Sequence, residues 1–168
     1  MRPFGRLLAL SAVAGAGLAA CDRGPAPVAN QTPSFYVSMA SADAVVDAVA
    51  ARDMIGAYRR NNGLGPLSVD PGLQALAEAE SAAMARADRP ASAEAVKARL
   101  AAAGFRGGSA NLSAGYRTLA EAFSGWRESP QHNRVLLDPT ATRMAIATAY
   151  TPDSKYKVYW TLVTAAGP

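Results

Sequence analysis

Two periods in the placement of apolar residues predict which parts of the chain are helical and which are extended. In several stretches between residues 43 and 137, apolar side chains recur every three or four positions, as they do on one face of an α-helix. Beyond residue 144 come two runs rich in β-branched and aromatic residues, which are typical of strands. Helices are expected over residues 43–62, 71–84 and 92–104, from 119 to the Ser129-Pro130 pair, and from that pair to Leu137.

Turn and cap residues separate these elements. Gly63 is typical of the left-handed residue that ends a helix, and Asp70 with Pro71 forms an N-cap and a first-turn proline for the second helix. The last two strands are joined by Thr-Pro-Asp-Ser at 151–154, so they are expected to form a β-hairpin. The expected strands cover residues 109–114, 145–150 and 156–163.

A helix–turn–helix corner carries the only histidine of the chain. Thr118 and Glu121 have the spacing of a capping box, and the apolar side chains at 119, 123 and 126 share one face of the helix that follows. Ser129 and Pro130 end that helix and open a second one, since proline suits the first helical position. His132 then lies in the first turn of the second helix, and the corner presents its imidazole.

One carboxylate interrupts the apolar stripe of the second helix. The stripe contains Leu73, Leu76, Ala77 and Met84, and Glu80 falls inside it. Burial of an unpaired charge is costly, so this carboxylate must find a partner, take up a proton, or reach water at the edge of the stripe. The sequence leaves these outcomes open and makes Glu80 a candidate site residue.

The first 20 residues have the pattern of an export signal. Arg2 and Arg6 precede an apolar run of about 12 residues, which is too short to span a bilayer and typical of a signal peptide. The run ends in Leu-Ala-Ala-Cys, which resembles the lipobox of bacterial lipoproteins. We therefore expect a signal peptide over residues 1–20 and an acylated Cys21 that anchors the chain to a membrane. The alternative is an ordinary secretory signal with Cys21 as a free or bridging thiol, since the chain has no second cysteine.

The composition of the remaining residues predicts a tether followed by one domain, and it argues against nucleic-acid binding. Residues 21–42 contain three prolines and no apolar period, which is typical of a flexible tether, and residues 43–168 are expected to form one domain. Removal of the signal peptide leaves 15 of the 17 basic side chains against 13 acidic ones. The basic residues are scattered, with Arg59-Arg60 the densest pair. The chain therefore lacks the basic stripe of a nucleic-acid-binding protein.

Residues 123–137 connect the chain to a known family. Their sequence, Phe-Ser-Gly-Trp-Arg-Glu-Ser-Pro-Gln-His-Asn-Arg-Val-Leu-Leu, resembles the W-x-x-S-P-x-H segment of bacterial CAP-superfamily domains. These domains are relatives of cysteine-rich secretory proteins, antigen 5 and plant pathogenesis-related 1 proteins. Residues 63–67, residues 109–112 and the closing hairpin resemble further family segments in the right order. The resemblance covers roughly residues 43–163 and implies an α+β fold, an α-β-α sandwich with a small antiparallel sheet between helices.

The resemblance also implies a central cavity, which in the family often holds two histidines, two acidic residues and sometimes a divalent metal. His132 matches one histidine of that set, Glu80 stands in place of the other, and Ala110 in place of one acid. Glu128 lies close to the place of the second acid but is offset by one position, and Asn111 in the matching strand is a further cavity candidate. A first-row metal needs three or four ligands, so we predict no metal site, no cofactor and no catalytic residue.

These observations favour binding over catalysis. A hydrolytic triad needs a nucleophile, a base and an orienting group, and the chain has no G-x-S-x-G elbow to supply the first. We therefore expect a lipid-anchored CAP-like domain of the cell envelope, facing the periplasm or the cell exterior, that binds a lipid-like ligand or an envelope protein. The alternatives are a metal-assisted hydrolase that uses His132 with Glu80, and a structural envelope protein with an empty cavity.

Overall fold

A computed structural model describes residues 32–167 of the chain. The predicted signal peptide, Cys21 and the first part of the tether lie outside the described residues. No helix in the described range is long and apolar enough to cross a membrane. The elements are a 3-10 helix Ser34–Tyr36, α1 Ala48–Asn61, β1 Ser68–Val69, α2 Pro71–Ala87, α3 Ala93–Ala102, β2 Ser109–Ala114, α4 Leu119–Glu128, α5 Pro130–Leu136, β3 Arg143–Tyr150 and β4 Val158–Ala165.

Four strands form one sheet in the order β1-β3-β4-β2. β4 pairs antiparallel with β3 on one side and with β2 on the other, as the three predicted strands require. β1 was not foreseen; it has two residues and pairs parallel with β3, so the predicted antiparallel sheet is corrected to a mixed one. A strand of two residues is too short to produce a period in the sequence.

Helices cover both faces of this sheet, which confirms the predicted α-β-α sandwich. One core cluster contains Ile146, Trp160 and Leu162 of the sheet together with apolar residues of α1, α4 and α5. The other contains Ala145 and Val163 together with residues of α2 and α3. Successive side chains of a strand point to opposite faces, so every residue of β4 is buried in one layer or the other.

Three helices begin at the predicted caps. The Asp70 carboxylate accepts a hydrogen bond from Leu73 N at 2.9 Å at the start of α2. The Thr118 hydroxyl accepts from Glu121 N at 3.2 Å at the start of α4, and Ser129 caps α5. Each cap satisfies an amide that the first turn of a helix leaves without a partner. The helix–turn–helix corner is therefore confirmed.

The first helix begins later than its apolar pattern predicts. α1 starts at Ala48 and not at residue 43, because the Asp47 carboxylate accepts hydrogen bonds from the N–H groups of Val49 and Ala50 and caps the helix there. Val45, which the sequence placed inside the helix, is 85% exposed ahead of it. A local polar cap therefore overrides a run of apolar residues.

The segment ahead of α1 packs on the domain, although its composition predicts a tether up to residue 42. Met39 is buried, and its N–H group donates to the Arg117 carbonyl at 2.7 Å. Phe35 packs against the core cluster that contains Trp160. Two apolar side chains thus give residues 33–42 a place on the domain that proline content alone does not reveal.

A buried arginine joins α1 to the loop that follows it and to the distant turn after α5. Arg59 is 1% exposed, and its guanidinium donates hydrogen bonds of 2.9 to 3.1 Å to the carbonyls of Gly65, Leu136, Asp138 and Ala141. Burial lowers the pKa of Arg59 from its ordinary value, but an arginine stays charged in a protein. Its neighbour Arg60 is exposed. The densest basic pair of the sequence is therefore one structural cation and one surface cation.

We expect Arg59→Met to lower the free energy of unfolding by about 3 kcal/mol or more, because it leaves buried carbonyls without donors. The matched variant Arg60→Met removes the same charge from an exposed position of the same helix and should change stability by about 0.5 kcal/mol or less. Urea denaturation of the two variants beside the wild type measures both values. Equal effects of the two substitutions would refute the structural role of Arg59.

Candidate functional site

A cleft of about 470 Å³ opens at the β2 edge of the sheet. Residues of α3 form one wall, residues of α5 and the following turn form the other, and β2 lies between them. Its volume lies within the range of small-ligand sites. The charged side chains of the α3 wall are Glu94 and Lys97, and those of the α5 wall are Arg134 and Asp138. Each wall therefore offers one anion and one cation.

His132 lines this cleft from the first turn of α5. The Ser129 hydroxyl accepts from His132 N at 3.5 Å, and the His132 carbonyl accepts from Asn111 Nδ2 at 3.0 Å, so the main chain is held on both sides. No hydrogen bond to the imidazole is made by another residue between 32 and 167. Burial lowers the pKa of His132 below its ordinary value of 6.5, because the wall disfavours the charged form. At neutral pH the ring is neutral and offers one donor and one acceptor.

Asn111 supports the site from beneath and does not line the cleft. Its side chain is fully buried, and its amide nitrogen ties β2 to the first turn of α5 through the His132 carbonyl. Its Oδ1 atom has no hydrogen-bond partner among the described residues. The sequence proposed Asn111 as a cavity residue, and the structure places it beside His132 as a positioning residue.

Glu80 lies on α2, outside the cleft of His132. It is 7% exposed and forms an ion pair with Arg99 of α3, so of the outcomes left open by the sequence the carboxylate takes a partner. Glu80 lines two other grooves, one of about 290 Å³ between α2 and α3 and one of about 170 Å³ near the end of α2. The hypothesis that Glu80 and His132 share one cavity is therefore not supported by the geometry.

Glu128 does not line the cleft either; it is exposed at the last position of α4. The donor set for the metal that the resemblance raised does not assemble. Between residues 32 and 167, no group of three or more histidine, cysteine, aspartate or glutamate side chains could hold a metal ion. His132 alone supplies a nitrogen, and tight zinc binding needs three or four such ligands. The described side chains thus do not fit a metal.

Two of the three serines on β2 and at the start of α5 already have structural hydrogen bonds. The Ser113 hydroxyl accepts from Trp126 Nε1 at 3.1 Å, and the Ser129 hydroxyl caps α5. Ser109 lines the cleft, but no described carboxylate hydrogen-bonds to His132 to orient it as a base. The arrangement is suited to holding a polar ligand through the imidazole and the charged walls.

The charged residues of the cleft were missed by sequence reasoning. Lys97 and Glu94 sit about forty positions from Arg134 and Asp138, and nothing in their local patterns distinguishes them from solvated helix surface. Only the docking of α3 and α5 on either side of β2 brings the two pairs together. A contact map is needed to find such a site.

Comparisons with known proteins agree with this architecture. The family model for cysteine-rich secretory proteins, named CAP, matches residues 52–164. No curated protein matches the chain significantly in sequence. The residues matched by the family model include both walls of the cleft, the strands β1 to β3, and β4 up to Thr164.

Three solved structures have a similar fold. A cysteine-rich secretory protein from Staphylococcus aureus is 16% identical with a TM-score of 0.56, over 71% of this chain and 38% of that one. An extracellular protein with an SCP domain from Bacillus anthracis is 19% identical with a TM-score of 0.59, over 71% and 40%. An outer surface protein from Borrelia burgdorferi is 14% identical with a TM-score of 0.61, over 71% and 92%. The chain thus spans about two fifths of the first two proteins, and identities this low show the fold alone.

The single histidine allows a direct test of the site. We expect the imidazole resonance of His132 in a proton NMR titration to have a midpoint below 6.5, since burial disfavours its charged form. The same shift makes the unfolded chain bind a proton more readily than the folded one. The contribution of neutral His132 to the free energy of unfolding is therefore fully present above the unfolded pKa near 6.5. It is lost as the pH falls through the lower pKa of the folded protein.

The control for this titration is His132→Asn, which removes the proton-binding group. Between pH 7.5 and pH 5 the wild type should lose more stability than the variant, as measured by thermal melts at each pH. A midpoint at or above 6.5, or equal pH slopes in the two proteins, would contradict the buried imidazole.

Proposed function

The chain belongs to the CAP family of cysteine-rich secretory proteins, and from this premise we propose that it is a membrane-anchored binding protein of the cell envelope. Its ligand occupies the cleft around His132, and the domain carries out no chemistry on it. Acylated Cys21 holds the chain on the membrane after residues 1–20 are removed. The segment between Cys21 and residue 32 links the anchor to the domain.

The observation that carries the proposal is the cleft itself. It combines a neutral imidazole with one anionic and one cationic side chain on each wall, in a volume of about 470 Å³ that suits a ligand. The residues that hydrolysis would need are dispersed, because Glu80 pairs with Arg99 and Glu128 is exposed. This dispersal favours binding over the alternative of a metal-assisted hydrolase.

A lipid-like ligand has a second place in the fold. The groove between α2 and α3, of about 290 Å³, is lined by Leu76, Val96 and Leu100, with the Glu80–Arg99 pair beside them. Apolar walls with a few polar groups are typical of sites for apolar ligands. We assign any acyl chain to this groove and a polar ligand to the cleft of His132.

The proposed location of the protein in the cell envelope is supported by its N-terminal sequence pattern and by its structural neighbours. An apolar run followed by Leu-Ala-Ala-Cys is typical of an exported lipoprotein. Two structural neighbours are described as extracellular and as an outer surface protein. Both observations support a position outside the cytoplasm.

Replacement of the acylated residue tests the anchor. We expect Cys21→Ser to abolish incorporation of an alkyne-labelled palmitate and to move the protein from the membrane pellet to the soluble fraction. The neighbouring change Asp22→Ser leaves the thiol in place and should keep both the label and the pellet fraction. Membrane retention of the Cys21→Ser protein would disprove the acyl anchor.

Thermal melts of the full chain test the binding function against the hydrolase. A ligand that binds the native state alone stabilises it by RT ln(1 + [L]/Kd), about 2.7 kcal/mol at a hundredfold excess over Kd. We expect a short-chain phosphatidylcholine or a pool of octapeptides to raise the melting temperature, and saturating zinc to leave it unchanged. His132→Ala should remove the effect of a ligand in the cleft and retain that of a ligand between α2 and α3.

Two outcomes would overturn the proposal. A zinc-dependent rise that vanishes in His132→Ala would favour the metal-assisted hydrolase. A protein that no organic ligand stabilises would favour a structural envelope protein with an empty cavity.

A further inference from the structure

β2 is an edge strand whose outer side carries unpaired backbone groups. Among the described residues, it pairs with β4 alone. Gly115 N donates to Val158 O at 2.9 Å, and the register between the two strands is unbroken from Ser109 to Ala114. Hydrogen-bonded positions alternate in an antiparallel ladder. The backbone N–H and C=O groups of the odd-numbered residues of β2 therefore point toward β4, as the N–H group of Gly115 does, and those of the even-numbered residues point toward the free edge.

Ala110 and Leu112 are even-numbered residues at the centre of β2. Their N–H and C=O groups therefore point away from β4, and no other hydrogen bond between residues 32 and 167 uses them. Both residues line the cleft. The floor of the cleft thus presents two donors and two acceptors in the spacing of a strand that lacks its neighbour.

The shape of the cleft decides which partner can reach this edge. α3 and α5 rise on the two sides of β2, and Ala110 is only 7% exposed between them. A second copy of the domain would have to pair its own β2, which carries the same two walls, so the walls would collide before the edges met. A single extended polypeptide has no such walls and fits between the helices.

We propose that the cleft binds an extended polypeptide segment of a partner protein, which adds to the sheet as a fifth strand beside β2. Its main chain exchanges hydrogen bonds with Ala110 and Leu112, as in other cases of strand addition to a sheet edge. Alternate side chains face the two walls, each of which holds one anion and one cation, so the segment carries both acidic and basic residues. His132 contacts the segment from the α5 wall. This inference rests on the proposed binding function and names its partner class.

Octapeptides selected from a random display library against the purified full chain provide the test. We expect a selected octapeptide, made synthetically, to lose about tenfold or more in affinity when the peptide nitrogen of every second residue is methylated. Methylation of the intervening residues should change the affinity by about threefold or less, because their N–H groups point away from β2. Binding should also protect the Ala110 and Leu112 amides from hydrogen exchange.

Two variants at one position supply the matched control. Leu112→Pro removes an N–H group that β4 does not use, and proline is tolerated at such positions of edge strands. It should weaken octapeptide binding about tenfold, whereas Leu112→Ala keeps the N–H group, loses only side-chain packing and should weaken binding by about threefold or less. Thermal melts establish that both variants are folded, and the methylation scan does not depend on either.

The outcomes separate this inference from the binding function. Equal effects of methylation at all positions, or equal octapeptide binding by Leu112→Pro and the wild type, would overturn the added strand. If no octapeptide is enriched but a short-chain phosphatidylcholine raises the melting temperature, the strand inference fails and the binding function stands. If neither octapeptides nor the phospholipid bind, both fail.

Discussion

The cleft depends on a buried cation that does not itself line it. Arg59 binds the carbonyls of Leu136, Asp138 and Ala141, which lie at the end of α5 and in the turn that leads to β3. Asn111 holds the other end of α5 through the His132 carbonyl. α5 is thus fixed at both ends by side chains that donate to its main chain, and the position of the wall that it forms is fixed with it. A buried arginine is costly to desolvate, so its retention requires all of its hydrogen bonds, and the loops that supply the carbonyls are constrained with it.

The helices of the sandwich bury both faces of the sheet, so only its edges remain available for contact with another molecule. Both faces are covered, and every residue of β4 is buried. At one end, β1 covers two residues of β3 and is itself too short to recruit another strand. At the other end, β2 is six residues long. Proteins guard long edge strands by covering or charging them, and here charged helices flank the edge without pairing with it. The flanking helices hinder the approach of another sheet to the β2 edge. The space between them is left for a single extended polypeptide.

Local signals could be predicted from the sequence, and distant contacts could not. The caps at Asp70, Thr118 and Ser129 and the corner that holds His132 follow from spacings of three or four residues, which single sequences display clearly. The burial of Arg59 could not be inferred, because its partners are main-chain carbonyls that carry no residue signature. For the same reason, only part of the candidate site could be predicted from the sequence. His132 and Asn111 were identified through a matching segment, but Glu80 was placed with them by analogy and in fact pairs with Arg99 across another groove.

That pairing bears on what the domain can do. A carboxylate beside an imidazole would stabilise its charged form and prepare it as a base, whereas His132 meets only burial, which has the opposite effect on its pKa. Glu80 instead uses its charge to join α2 to α3, and thereby helps to set the position of the α3 wall. The acidic residue that catalysis would require at the histidine contributes to the shape of the cleft from outside it. An imidazole that is neutral, held through its main chain and without a ring hydrogen bond to any residue between 32 and 167 is free to contact a ligand in the cleft.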